Sequence, residues 1–354
     1  MSGETFSLRF RILEPMMFRR AGEFDPSSRG IYSSARSFIL PTPSTIAGAV
    51  ATLILEQNPG LMPGGESWEE EIKSVLGNAE LRGPYLLKSG DFQVAYGERG
   101  LRLGELPGLA VGYWRLAQTE AKTYSEAKEW VLLHRELIKE LERKAQALGK
   151  LQERVGVGLL KRAEGVKVAD EKRGLLYAAS YVDYVLSAAD TEGVEICVDA
   201  RNLQLEDSFY AVKLGGEGRV TALRKGSAVL TTIKSVVWRG REKAEGSIAL
   251  YLASPALFKC GLTREKLLEV IAEKLSTYSA RVLGIVGSTA LLGAGFSLSK
   301  GRRKPVYLAL EPGSIIFVDL PDPRPLEQLY WSSLSEAGGQ LGYGTAIPIP
   351  LTMQ

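Results

Sequence analysis

Downstream of Trp238 the apolar pattern of this 354-residue chain runs strand, helix, strand, strand, helix, strand, and that order restricts its fold more than any single motif does. A strand is expected at 247–252. Thr263 can cap a helix that carries Leu268, Ile271 and Leu275 at helical spacing. Strands follow at 280–286, 305–310 and 315–319, then a helix over 325–335, a Gly-rich loop at 338–345 and a last strand at 346–351. The first half fits the same order. Phe6, Leu8, Phe10 and Ile12 alternate with polar residues and share one strand face. Pro41 and Pro43 enforce extended backbone ahead of a helix on which Ile46, Ala49, Val50 and Leu53 recur, with Ser44 placed to cap it. Gly48 inside that helix costs about 1 kcal/mol against Ala, which a close approach by another element would explain. Trp130, Leu133, Leu137, Leu141 and Leu148 mark a long helix over 125–148, and a basic loop with short β-like pieces follows at 156–177. A strand at 194–198 and a Gly-rich turn at 214–219 lead into a strand at 220–223. The expected class is α+β, with two tandem ferredoxin-like (RRM-like βαββαβ) domains at 1–225 and 226–354. The first carries an inserted helix at about 118–150 and the basic loop at about 156–177 as further insertions.

With 45% hydrophobic and 24% charged residues the composition is that of a soluble globular protein. Lys and Arg number 44 against 41 Asp and Glu, so a polyanion site has to arise from local clustering. Cys197 and Cys260 have no partner spacing for a disulfide or a metal and are expected as small buried hydrophobes. The uncharged run 282–298 is shorter than the ~20 residues of a membrane span and is rich in Gly and Ser, which suits a strand and turn. No secretory signal opens the chain, so a cytoplasmic location without a membrane is expected.

Glycines in 338–344 permit positive φ and would leave backbone N–H groups free to approach a phosphate, although no nucleotide-binding context surrounds them. Four basic clusters are candidates for RNA contact: Arg19, Arg20, Arg29 and Arg36; Lys161, Arg162, Lys167 and Arg173; Arg219 to Lys225; and Arg302, Arg303 and Lys304. Phe18, Tyr32, Tyr177 and Tyr343 could stack on bases beside them. A single such cluster is usually a solvated face; four in loops of a nearly neutral chain point to RNA. Catalysis has little to draw on. His134 is the only histidine, and Asp183 and Asp199 have no identifiable partner, so no catalytic centre, metal or cofactor is expected.

The segment Phe38–Ala49, the 214–219 turn, the string 301–305 followed by Glu311-Pro312-Gly313-Ser314, and the closing 341–345 with Ile347-Pro348 resemble the RAMP superfamily. In that order they are similar to the subunit of type III-B CRISPR (Cmr) effector complexes that pairs with the large polymerase-like subunit. The resemblance implies tandem ferredoxin-like domains and a non-catalytic role in antiviral defence. It also implies contacts with the crRNA 5′ tag, the large subunit and the backbone RAMP subunits, and with target RNA only indirectly. Ser44, Gly342, Tyr343 and Gly344 join the basic residues as candidate RNA contacts. The competing functions are a RAMP-type endoribonuclease that processes crRNA precursors, for which His134 is the natural base, and a structural subunit that binds protein alone.

Overall fold

The computed structural model describes residues 4–20, 34–35, 37–119, 145–157, 159–162, 165–168, 176–186, 193–206, 208–259, 264–293, 296–297 and 302–351. Strand β1 (Phe6–Ile12) buries Leu8 and Phe10 and sends Arg9 and Arg11 to the opposite face. Helix α1 (Pro43–Gln57) begins on Pro43, whose missing N–H and fixed φ cost nothing at that position. Its residues Ile46, Ala47, Val50 and Leu53 bury in one core with Leu8 and Phe10. Thr42, not Ser44, is the N-cap residue, and no side chain caps the first turn. A Cβ at Gly48 would meet nothing within 4 Å, so the expected close approach is absent there. Helix α2 (Trp68–Leu76) starts at a Ser67–Glu70 capping box, with Glu69, Glu70 and Glu71 at its positive end.

Strands β2 (Glu80–Lys88), β3 (Asp91–Tyr96) and β4 (Arg99–Arg102) form a meander that leads into α3 (Leu106–Thr119). The expected 125–148 helix falls mostly outside the described residues, and its end is corrected: Gln146–Ala147 is a strand paired with Arg99 and Gly100. Leu148 fills the space over Gly100, where a Cβ would collide with it, so an edge pairing prevails over the helical pattern. The 156–177 segment is also corrected, from loop to hairpin. Strands β5 (Lys150–Val157) and β8 (Leu176–Asp183) pair from Lys150↔Asp183 to Val157↔Leu176, and β6 (Leu159–Arg162) pairs with β7 (Gly165–Val168) between them. Valines at 155, 157, 166 and 168 favour those pairings. Strand β9 (Glu195–Arg201) follows, then the hairpin β10 (Tyr210–Lys213) and β11 (Val220–Gly226). The sheet order is β10-β11-β1-β9-β2-β3-β4, with Gln146–Ala147 beyond β4.

The second half opens with α4 (Val229–Thr232), which continues as a π turn over Ile233–Val237. It continues with β12 (Lys243–Leu252), β13 (Ala256–Phe258), α5 (Arg264–Leu275), β14 (Arg281–Val286) and β15 (Thr289–Gly293). Then come β16 (Val306–Leu310), β17 (Ile315–Pro325), α6 (Leu326–Trp331) and β18 (Ala346–Pro350). The main sheet has the order β14-β17-β12-β18, and β13-β16-β15 form a smaller one. Helix α6 is shorter than expected because the chain turns away at Ser332: the Leu334 N–H bonds Gly344 O and the Glu336 N–H bonds Leu257 O. The uncharged 282–298 run lies largely in β14 and β15, and no described helix is long and apolar enough to cross a membrane. Cys197 is buried in β9; Cys260 and Thr263 lie outside the described residues.

The two halves share connectivity. In each, the first strand (β1 or β12) lies between the last (β11 or β18) and another (β9 or β17), beyond which lies the strand reached after the helices that come next in the chain (β2 or β14). They also share a core, in which Tyr85, Val94 and Leu101 pack with Ile248, Tyr251, Ile316 and Tyr330. A buried polar network crosses the seam. Arg82 of β2, only 2% exposed, donates to Leu81 O (2.7 Å), Gly339 O (3.0 Å), Tyr330 O (3.2 Å) and Trp331 O. It thereby supplies donors and positive charge to the C-terminal end of α6. Burial lowers its pKa to about 10, with Glu80 opposing the shift.

Asp199 does have partners, contrary to expectation. Its carboxylate accepts from the Val229 N–H (2.6 Å), the Leu230 N–H (2.7 Å) and the Tyr330 hydroxyl (2.8 Å), and Tyr330 Oη lies 2.9 Å from Tyr85 Oη. Asp183 is engaged too, accepting from Gln152 Nε2 at 2.7 Å.

Candidate nucleic-acid interface

A cleft of about 800 Å³ opens between the halves. One wall is the extended segment Phe38 to Thr42 that leads into α1, with Arg20 beside it; the Arg20 guanidinium lies 5.3 Å from the Phe38 ring centre. The β3–β4 turn contributes Tyr96, Glu98 and Arg99. The opposite wall is the turn between β14 and β15 together with Glu311 to Ser314. Backbone bonds hold that second turn in place: Gly313 N–H to Leu252 O and Leu252 N–H to Ser314 O, both 2.8 Å. Gly313 has φ +91°, and a Cβ there would lie 3.3 Å from Tyr96 Cα, so glycine lets the two halves meet closely at the cleft floor. Ser288 donates to Glu311 Oε2 at 2.6 Å.

Arg20 and Arg99 face Glu98 and Glu311, so the lining carries two charges of each sign. Such a surface binds through ring faces, backbone groups and shape more than through net charge. Among the described residues no cluster of His, Cys, Asp and Glu could hold a metal ion.

Two of the motifs singled out in the sequence, 38–49 and 311–314, thus meet at one cleft although more than 250 residues apart. A family model described as CRISPR-associated protein (Cas_Cmr3) matches residues 10–351. The chain belongs to the Cas_Cmr3 family. A relative of this Cas_Cmr3 chain, the CRISPR system CMR subunit Cmr3 of Saccharolobus solfataricus, is 24% identical over 309 residues, 86% of this chain and 83% of the relative. In fold, the Cas_Cmr3 chain is similar to one in the cryo-EM structure of the type III-B Cmr-beta bound to cognate target RNA, with a TM-score of 0.60, 21% identity and 96% of each chain covered. A second Cmr-beta structure, bound to cognate target RNA and AMPPnP, gives a TM-score of 0.55 at 21% identity over 88% of this chain and 86% of that one. Membership of a CRISPR family agrees with the motif resemblance.

The individual candidates fare unevenly in this Cas_Cmr3 chain. Arg19 and Arg20 are exposed, with Arg20 at the cleft and Arg19 bridged to Ser37. Arg29, Arg36 and Arg173 lie outside the described residues, as do Tyr32 and His134. Lys161 and Arg162 are on β6, and Lys167 on β7 pairs with Leu160. The Arg19 segment and the basic hairpin do meet: Met16 bridges Val182, and Ser34–Ala35 pairs with Ala178 and Ala179.

Arg219 is corrected from a free cation to a structural one, because it pairs with Glu14 and lies 4.7 Å from the Tyr181 ring centre. Arg302 and Arg303 form a short strand opposite Ser297 and Phe296, and the Lys304 ammonium lies 5.3 Å from the Trp68 ring centre. Burial there lowers the Lys304 pKa, with Glu71 opposing the shift.

The Gly-rich loop is the clearest correction. Gly342, Tyr343 and Gly344 are buried, and their N–H groups are satisfied internally by Gly339 O, Gly338 O and Pro255 O. The Tyr343 hydroxyl meets Ser44 Oγ at 2.9 Å, and its ring packs edge-on against Trp68. None of these groups is available to a phosphate, nor is Tyr343 to a base. Instead they support the cleft from beneath, since Pro255 also lines it. Tyr96 and Arg99 line the cleft but are not among the candidates read from the sequence. Their only signal was a short turn, Gly97 to Gly100, with no motif around it.

Proposed function

We propose that the chain is the non-catalytic, crRNA-holding subunit of a type III-B CRISPR effector complex, and that the cleft between its halves receives a segment of the crRNA 5′ tag. One observation carries this reading: the Phe38 segment, Arg20, Tyr96, Arg99 and the Glu311 turn converge on a single open cleft. Aromatic faces beside guanidinium groups are what a single RNA strand requires. Family membership supports placement beside the large polymerase-like subunit and the backbone subunits, and the solved Cmr-beta relatives were bound to target RNA. The strand order, last–first–third–second in both halves, supports two ferredoxin-like units. In this reading the cutting of RNA belongs to other subunits.

The test is crRNA footprinting in the assembled complex. Loss of one base–aromatic stack costs about 1–3 kcal/mol, or roughly 5- to 150-fold, so Phe38→Ala with Tyr96→Ala, which removes two ring faces, should weaken protection of the 5′ tag by at least that factor. Arg19→Glu with Arg20→Glu should weaken it further and reduce its salt dependence. Unchanged tag protection in both double variants would refute the cleft assignment, and metal-independent cleavage of precursor by the purified chain would refute the non-catalytic role.

A further inference from the structure

Among the described residues, the first sheet is covered on both faces only along part of its width. At the β9-β2-β3 end, Cys197, Tyr85 and Val94 lie under the core shared by the two halves. That cover stops at β1. There the same face, across β1 and β11, presents Arg9, Arg11, Ala222 and Arg224. Here a second hollow of about 640 Å³ is lined by Arg11, Leu13, Val185, Gly193, Phe209 and Arg224, among others. Phe209 is 79% exposed, Leu13 62% and Val185 53%, and all three line this one hollow. Exposed apolar side chains gathered in one place mark an interaction surface.

Charge decides what the surface fits. Three arginines, Arg9, Arg11 and Arg224, surround one described carboxylate, Glu195, which sits 2.8 Å from Arg224 and 3.7 Å from Arg9. Arg11 has no ion pair among the described residues. A Cβ at Gly193 would lie 3.2 Å from Arg11 Nε, so the missing side chain is what lets the guanidinium lie at the hollow's edge. The exposed apolar members are two aliphatic residues, Leu13 and Val185, and one phenylalanine, Phe209, with Ile12, Val194 and Ala222 also in the lining. A single ring among aliphatic groups offers less to stacked bases than the Phe38 and Tyr96 rings of the cleft, whereas phenylalanine and arginine are enriched at protein–protein interfaces.

We infer that this hollow docks a segment of a partner protein subunit that presents an apolar side chain flanked by carboxylates. The apolar side chain enters between Phe209, Leu13 and Val185, and a carboxylate meets Arg11. This site lies apart from the cleft and does not depend on RNA binding there.

The test is photo-crosslinking in the complete complex, assembled with the chain's own partner subunits and carrying Phe209→p-benzoylphenylalanine. The expected product joins this chain to a protein peptide with Asp or Glu within a few residues of the crosslink. Adding Arg11→Glu should lower its yield about tenfold, as reversal of a paired interface charge does. Both positions are exposed, so neither change touches the core, and circular dichroism matching the parent chain confirms it. Crosslinking to RNA, no crosslink to another subunit, a crosslinked peptide without acidic residues, or a yield indifferent to Arg11→Glu would each overturn the inference.

Discussion

Replacing Asp199 by Asn should remove a pH dependence that the fold imposes on the chain. The carboxylate is fully buried, and burial pushes its pKa up to about 7, opposed by the Val229 and Leu230 N–H groups and the Tyr330 hydroxyl. In the unfolded chain the same group titrates near ~3.9. Between those values the folded state keeps a proton that the unfolded state has lost. Its contribution to stability is therefore fully present below about pH 4 and is lost as the pH rises through about 7. At about 1.4 kcal/mol per pKa unit, a rise from pH 5 to pH 8 removes about 2–3 kcal/mol. Asn mimics the protonated acid: its amide oxygen accepts from the backbone donors and its NH2 group faces Tyr330 Oη. With one oxygen for two N–H groups it forfeits about 1 kcal/mol, but by the same amount at every pH. Urea unfolding followed by tryptophan fluorescence, at steps from pH 5 to pH 8, measures both chains. The expected result is a curve that falls for the parent and a flatter one for Asp199→Asn, converging or crossing toward pH 8. Parallel curves would refute the argument, because they would mean that Asp199 stays ionised in the fold.

Two further substitutions probe the seam and the first Gly-rich turn. Arg82→Met strands the carbonyls of Leu81, Gly339, Tyr330 and Trp331 without their buried donor and should cost about 3–5 kcal/mol in urea unfolding; a loss below ~1 kcal/mol would show the network to be incidental. Gly215→Ala should destabilise well beyond Gly218→Ala, because Gly215 combines φ +81° with a Cβ position overlapping Met17 O, while at Gly218 (φ +66°) nothing lies within 4 Å. The left-handed backbone alone costs about 1–2 kcal/mol, so equal midpoints for the two variants would show that the Met17 contact does not constrain the turn.

Local signals in the sequence carried a good part of the fold. Period-two alternation placed β1, and the proline-led start of α1 followed from backbone sterics. In the second half the strands at 243–252, 281–286, 306–310, 315–325 and 346–350 and the helix at 264–275 follow the expected order, whereas β13 and β15 had no expected counterpart. The motifs of the Cas_Cmr3 family were legible as well, since spacing along the chain survives without any knowledge of contacts.

What the sequence could not supply were facts about which surface each residue meets. Gln146–Ala147 continues a helical pattern yet pairs as a strand, because Gly100 leaves room for Leu148 on a sheet edge more than 40 residues away. Gly342, Tyr343 and Gly344 have the composition of an open phosphate loop, but Pro43, Leu81 and Gly83 of the first half lie against Gly342. Asp199 had no partner within local reach; its donors stand 30, 31 and 131 residues downstream. Burial and charge pairing are properties of three-dimensional neighbours, and a one-dimensional pattern carries the tendency of a residue but not the identity of what packs against it.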